Sequence, residues 1–442
     1  MKVPPKAPSI DELRAKVPNL DLIRIMNLVP SPLVDGKYLH FADVLHRTPP
    51  EGLSHDEWWL GLRLLRRIPS VRLPLLDKDG QGFRFLLTEP VQEHLHRIDL
   101  EAGGQIGMRE QITNPDTRNQ YCGRSRLEEA ITSSQIEGAV TTRQVAKEML
   151  RTNRRPADTS EQMILNNFRT MSKIQEWKDL PLSKDLMFEI QRMLTKDTWD
   201  GQTAAGRFRR ADEDVVVGPH GTSDIFHAPP PADELEYRLE LLCDFANQSS
   251  REPFIHPVIK AIALHFMIGY DHPFVDGNGR TARALFYWYM LKQGYWLIEF
   301  ISISTVINKA RSKYAKAYLH TETDNSDFTY FLLYHLQVIR ESVTALHEYI
   351  DRRARELTEF EHNLMATREL NHRQRALIGH ALRHSGQRYT YKWHAKSHGV
   401  THQTARTDLL DLEARGLLTK RKVGRQWLFS SVPELETKLR GR

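Results

Sequence analysis

Cysteine is almost missing from this chain. Cys122 and Cys243 stand far apart with no CxxC spacing, so neither a disulfide framework nor a zinc ribbon can be built, and a reducing compartment is expected. Long apolar runs are missing too: the most apolar stretches, such as Ala284–Leu291, fall far short of the ~20 residues of a membrane span. The opening MKVPPKAPSIDELRAKVPNL has prolines and charges where a secretory signal needs an apolar core. A soluble, cytoplasmic protein with no membrane partner is expected. With 24 Gly and 22 Pro in 442 residues, collagen-like and low-complexity readings fail. Apolar residues at 40% and charged residues at 27% exclude a mainly disordered chain.

What is present is unevenly placed. The formal charge is +6, but residues 371–442 hold 15 Lys and Arg against 5 Asp and Glu, a net of +10. The remainder, with 47 basic and 51 acidic residues, carries −4. A basic end of this kind is the usual footprint of nucleic-acid binding.

Pattern changes predict three parts: a mostly helical region over 1–110, a helical core over 111–368, and a separate domain over 369–442. Within the core, apolar spacing predicts helices at about 124–152, 161–177, 186–194, 232–247, 255–270, 280–293 and 306–320, and a long one from about Phe328 to Arg368. Residues 206–231 differ: VVVG and DIFHAP flank a Pro-His-Gly turn, which predicts a β-hairpin. In the tail, helices at 373–384 and 391–398 precede a third capped by Thr401. Strands at Leu417–Val423 and Gln426–Phe429 then meet at Gly424-Arg425. Three helices and a basic hairpin resemble a winged helix-turn-helix. There His402, Gln403 and Arg406 would face a DNA groove, and Lys420, Arg421, Lys422 and Arg425 would reach phosphates or the minor groove. Winged helices also serve as protein-docking or dimer modules, which leaves a homodimer open.

The chemistry concentrates in His272-Pro-Phe-Val-Asp-Gly-Asn-Gly-Arg-Thr-Ala-Arg283, between two helices that are apolar nearly all round. Gly277, Asn278 and Gly279 open the second helix, where backbone N–H groups can converge on an anion and the helix dipole favours negative charge. Arg280 and Arg283, three apart, project on one side of the first turn. Two guanidiniums and a nest suit a polyphosphate better than one carboxylate. Asp276 beside phosphates is a natural Mg²⁺ ligand, and His272 is suited to taking a proton from a hydroxyl. Phe274 is the loop's aromatic residue, and its bland reading is an anchor in the core. Each piece alone is ordinary; their concentration in one segment points to transfer of a phosphorus-containing group to a hydroxyl.

This segment resembles, at every defined position, the HPFxDGNGRxxR signature of the Fic (Fido) family, and the likeness extends over roughly residues 120–330. The resemblance implies a mainly α fold, a Fic-type helical core with a β-hairpin flap, and transfer of AMP from ATP to a Ser, Thr or Tyr hydroxyl of a protein. It implies His272 as the base and Asp276 as the holder of Mg²⁺. Phe274, Gly277, Asn278, Gly279, Arg280 and Arg283 fall with the nucleotide and phosphate loop. Val215, Val216, Val217 and Gly218 begin the flap that aligns the target by strand addition. A related subgroup transfers phosphate and has Lys where this chain has Gly279, which favours AMP transfer. No function is attached to Asp271.

Ser133-Ser-Gln-Ile-Glu137-Gly138 matches the family's inhibitory [S/T]xxxE[G/N] pattern. Ser133 and Glu137 lie on one helical face and Gly138 ends the helix. The resemblance implies that Glu137 pairs with Arg283 and takes the guanidinium that would orient the γ-phosphate. In some relatives the same glutamate positions a water that removes AMP, so de-AMPylation stays open. Another alternative is a DNA-binding transcription regulator with the Fic core as nucleotide sensor; the intact His272 argues against it. As metal ligands, His265, His272 and Asp276 fit no zinc spacing. His265, Tyr287, Trp288 and Tyr289 are expected in the core.

Overall fold

The computed structural model describes residues 2–16, 21–103, 115–198, 204–213, 215–218, 225–248, 253–366, 369–383, 387–423, 426–432 and 435–440. Its contacts divide the chain into two units, residues 1–106 with 125–343, and residues 107–124 with 344–442. Both are mainly helical among the described residues.

In the first unit, α1 (Ile10–Lys16), α2 (Leu22–Leu28), α3 (Phe41–Val44) and α4 (His55–Arg67) share one apolar cluster around Leu13, Ile25 and Trp59. Helix α4 starts at a capping box: the Ser54 hydroxyl accepts from the Glu57 N–H, and the Glu57 carboxylate accepts from the Ser54 N–H. A hairpin follows that the mostly helical expectation for 1–110 lacked: β1 (Val71–Leu76) and β2 (Gly82–Phe85) pair antiparallel. Its physical basis is period-two burial, with Leu73, Leu75, Phe83 and Phe85 inward. Phe83 packs edge-on against Phe266. Residues 1–106 therefore share a contact unit with the core.

After α5 (Glu89–Ile98), helices α6 (Pro115–Ile136), α7 (Arg143–Thr152) and α8 (Thr159–Trp177) meet through Ala130, Ile131, Ala146, Met149 and Ile164. Then come α9 (Lys184–Thr195), α10 (Leu235–Asn247), α11 (Pro257–Asp271) and α12 (Asn278–Lys292). Helices α11 and α12 form the centre, and nearly every residue of both is buried. An all-round apolar helix needs neighbours on every side, and these two have them. Tyr287, Trp288 and Tyr289 are core residues, as expected. The helix expected over 306–320 is two, α13 (Ile303–Lys309) and α14 (Arg311–Thr323), because Ala310 leaves helical geometry at φ −145°, ψ 54°. Helix α15 (Thr329–Ala366) follows.

In the second unit, Tyr121 meets Tyr349 edge-on and Arg124 lies over the Tyr349 ring. Helices α16 (His372–Arg383), α17 (Tyr391–His398), α18 (His402–Ala414) and α19 (Leu435–Arg440) accompany a three-stranded antiparallel sheet. The strands β3 (Arg388–Tyr389), β4 (Leu418–Val423) and β5 (Gln426–Ser431) run in the order β3-β5-β4. Thr401 caps α18 by accepting from the Thr404 N–H, and Gly399 at φ +59° ends α17. Leu377, Ile378, Leu409, Leu412 and Phe429 fill the core between them.

Candidate functional site

Helix α11 ends at His272, whose backbone takes the left-handed region at φ +44° while its N–H still bonds to Ile268 O. A non-glycine residue held there is strained, and such strain gathers at working sites. Its side chain is fixed as well: Nδ1 lies 2.9 Å from the Gly269 carbonyl. A carbonyl can only accept, so Nδ1 carries the proton of the neutral ring and Nε2 holds the free electron pair. Burial lowers the ring's pKa below its ordinary value, and the Gly269 bond and the Glu137 charge oppose this only in part. At neutral pH the His272 ring is therefore neutral, with Nε2 able to accept a proton.

The loop after it is held from inside. Asn278 accepts from the Phe274 N–H at 2.9 Å and donates to the Phe274 carbonyl at 2.7 Å, so its side chain serves the loop's own backbone. Phe274 is fully buried against Phe188 and Phe208, which is the core anchor rather than an open face for a base. Gly277, at φ +86°, lies so close to Thr195 that a Cβ would collide with it. Gln191 donates to the Asp276 carbonyl at 3.0 Å and accepts from the Gly206 N–H.

The two arginines are both almost wholly buried. Arg280 donates to the Leu194 carbonyl and to Asp276 Oδ2, each at 2.8 Å. Arg283 donates from Nε to Ser133 Oγ at 2.8 Å and from Nη2 to Ser133 O at 3.0 Å and Glu137 Oε1 at 2.9 Å. Two of their nitrogens, Arg280 Nε and Arg283 Nη1, are buried with no partner among the described residues. Unsatisfied buried donors of a cation are costly unless an anion meets them. Glu137 also presses on the loop itself, since a Cβ at Gly279 would run into its carboxylate. Burial pushes this carboxyl up, but Arg283, with help from Arg280 and His272, holds it below the usual carboxylate range. Gly138, at φ +98°, turns the chain away just after α6.

Several residues that sequence reasoning passed over complete the site. Arg209 donates from Nε to the His272 carbonyl at 2.9 Å, and its own N–H bonds to Pro273 O. Asp271, left without a function above, is buried and accepts from Arg238 Nε at 2.8 Å; burial nevertheless pushes its carboxyl up to about 6. Arg209 and Arg238 act on backbone and on a neighbour of the motif, which no local pattern signals. His265 is a satisfied core histidine between Tyr314 and His335. In the segment expected as a hairpin, one isolated antiparallel bridge, Val217 to His227, occurs among the described residues. Val216 and Ile225 beside it are 56% and 57% exposed. Val215 and Gly218 flank Val216 and Val217 in sequence, and residues 219–224, where the Pro-His-Gly turn was expected, fall outside the described residues.

Asp276 is the loop's carboxylate, 40% exposed on its side chain and paired to Arg280. No group of three or more His, Cys, Asp or Glu able to hold a metal occurs among the described residues. In the second unit, His402, Gln403 and Arg406 are exposed on α18, and Arg421 and Lys422 are exposed on β4. Lys420 lies over the Trp427 ring at 4.6 Å and near Glu413. Arg425 falls outside the described residues.

Comparison with known proteins bears on this geometry. Residues 181–290, which contain the His272–Arg283 loop, match the model of the Fic/DOC family. Protein adenylyltransferase Fic of Nematostella vectensis is 32% identical over 84 residues, 18% of this chain and 19% of that protein. Its namesake from Drosophila willistoni is 36% identical over 90 residues, 20% of this chain and 16% of that protein. The chain thus spans less than a fifth of the length of these curated relatives. A solved Fic family protein from Desulfovibrio desulfuricans G20 superposes with a TM-score of 0.51 at 19% identity, covering 79% of this chain and 97% of that one. Over that part of the chain the fold is thus one that a Fic family protein also adopts.

Proposed function

We propose that this chain is a protein adenylyltransferase that moves AMP from ATP onto a Ser, Thr or Tyr hydroxyl, and that Glu137 holds it inactive. The observation that carries the reading is Arg283. A buried guanidinium on the second turn of α12, with one nitrogen unpartnered among the described residues, already grips a carboxylate pressed against the Gly279 backbone. That is an anion site with an internal occupant. Names of the partial relatives above point the same way.

In this mechanism the target hydroxyl gives its proton to His272 Nε2 while its oxygen attacks the α-phosphorus of ATP. A P–O bond forms to the hydroxyl oxygen, the bond to the bridging oxygen breaks, and pyrophosphate leaves. Arg280, Arg283 and the N–H groups at Gly277–Gly279 take the charge of the departing end. Asp276 fits Mg²⁺ only alongside phosphate oxygens, since one carboxylate makes no cage, and the ion would neutralise triphosphate charge. Exposed Val216, beside the Val217–His227 bridge, would add an extended segment of the target. With Glu137 in place, Arg283 cannot turn to the γ-phosphate.

The test labels ATP at either end. Glu137→Gly is expected to incorporate the α-label into itself at least tenfold faster than wild type, with no incorporation of a γ-label. His272→Ala in that background is expected to abolish it. Equal labelling of Glu137→Gly and wild type overturns the inhibitory role, and full activity of His272→Ala overturns the base.

For residues 369–442 we propose a winged helix that binds DNA. What supports it is the groove lined by Lys392, Lys396, His402, Arg406, Lys420 and Trp427, between α17, α18 and the β4–β5 strands. It offers cations and an aromatic face together.

A further inference from the structure

A second cationic pocket lies in the first unit, built on α4, the β1–β2 hairpin and the turn before α15. Arg63, Arg66, Arg67, Ser70, Arg84, Asp324, Asn325 and Asp327 line it. The arginines at 63, 66 and 67 follow helical spacing, so they share one face of α4. Arg84 is set by the backbone, its N–H donating to Ser326 O and its carbonyl accepting from Phe328 N.

The charges do not cancel. Asp324 is taken by Arg63 and by the Tyr330 hydroxyl. Asp327 accepts from the Tyr38 hydroxyl and the Thr329 N–H. Both carboxylates are therefore committed to the protein. Arg67 and Arg84 make no ion pair among the described residues. Burial and the neighbouring charges of Arg72 and Arg67 push the Arg84 pKa down, which marks crowded like charge.

Arg66 is the sharper observation. It is 4% exposed, lies over the Tyr38 ring, donates to Pro32 O, Leu39 O and the Tyr330 hydroxyl, and leaves Nη2 buried with no hydrogen-bond partner among the described residues. The turn that closes the pocket holds Asn325 and Ser326 at φ +51° and +59°, two consecutive left-handed non-glycine residues. The cavity measures about 40 Å³. At ~10–15 Å³ for each water-sized occupant, its enclosed part has room for one tetrahedral group.

We propose that this pocket binds a single phosphoryl oxyanion, free or as the end of a phosphomonoester, at a site separate from the His272–Arg283 loop. Arg67 and Arg84 clamp its oxygens from the rim and Arg66 Nη2 meets it from below.

The experiment titrates the full chain with inorganic phosphate, and separately with O-phosphoserine, at constant ionic strength. Calorimetry and melting temperature are read for wild type, Arg67→Ala and Arg67→Ala/Arg84→Ala. Wild type is expected to bind phosphate and melt higher in it than in chloride. Each substitution is expected to weaken binding by roughly tenfold or more, as loss of a charge-assisted hydrogen bond should. Arg67 is exposed, so its variant reports even where the double variant melts early in chloride. O-phosphoserine competing with phosphate identifies a monoester as the source; phosphate binding alone identifies the free ion. A phosphate response that survives both substitutions places the anion elsewhere and overturns the proposal, as does the absence of any response in wild type.

Discussion

His272 is strained in its backbone, tied through Nδ1 to Gly269, and shifted towards the neutral form by burial. A base with a lowered pKa needs no help at neutral pH and fails only in acid. Initial auto-modification by Glu137→Gly, followed from pH 5 to 8, is therefore expected to rise along one acid limb with a midpoint below 6.5 and to be flat from 7 to 8. Loss of Glu137 removes a charge that raises the His272 pKa, which moves the limb further down. A midpoint above 7 would assign the titration to another group. Glu137 itself stays ionised over this range, because its folded pKa lies below the usual carboxylate range and the ion pair persists above that value.

The loop between α11 and α12 works as an element because Asn278 completes its backbone. Asn278→Ala removes both bonds to Phe274 and leaves a buried N–H and a buried carbonyl without partners. The expected cost is about 2–4 kcal/mol, seen as a lower midpoint in denaturant melts together with loss of labelling in the Glu137→Gly background. A variant as stable as its parent would mean that water or neighbours fill the gap. The loop's gathering of groups was legible in the sequence because they lie within a dozen residues. So was the helical spacing of Ser133 and Glu137, which α6 places on Arg283. Arg209, Gln191 and Arg238 were not legible, since each reaches the loop from a distant part of the chain and marks nothing locally. The β1–β2 hairpin escaped for a different reason: strand alternation in VRLPLL is interrupted by proline, and the run is too short to outweigh the helical signal of its neighbours.

At the scale of the whole molecule, the opening charge of +6 separates into a weakly acidic body and a basic tail. On the functions proposed above, the charges on β4 would meet a long polyanion through counterion release, whereas the His272–Arg283 loop would meet one small molecule. Lys420→Ala/Arg421→Ala/Lys422→Ala in the full chain is expected to weaken DNA retention and flatten its salt dependence by about 2–3 in log–log slope. Labelling by the same variant with Glu137→Gly is expected to stay unchanged. Unaltered DNA retention would remove these residues from the interface. The tail's helices were readable from Thr401 and Gly399 because capping is local. The pairing order β3-β5-β4 was not, because β3 is only two residues long.

The contact between Gly279 and Glu137 has a consequence for how such a chain can change. A side chain at 279 and the carboxylate of Glu137 exclude each other from the same volume. On the proposed function, one substitution at 279 would therefore bear on two properties at once, the anion cradle and its internal plug. Bulk at this glycine requires the end of the Glu137 side chain to move aside, so the two positions are coupled by space as well as by charge.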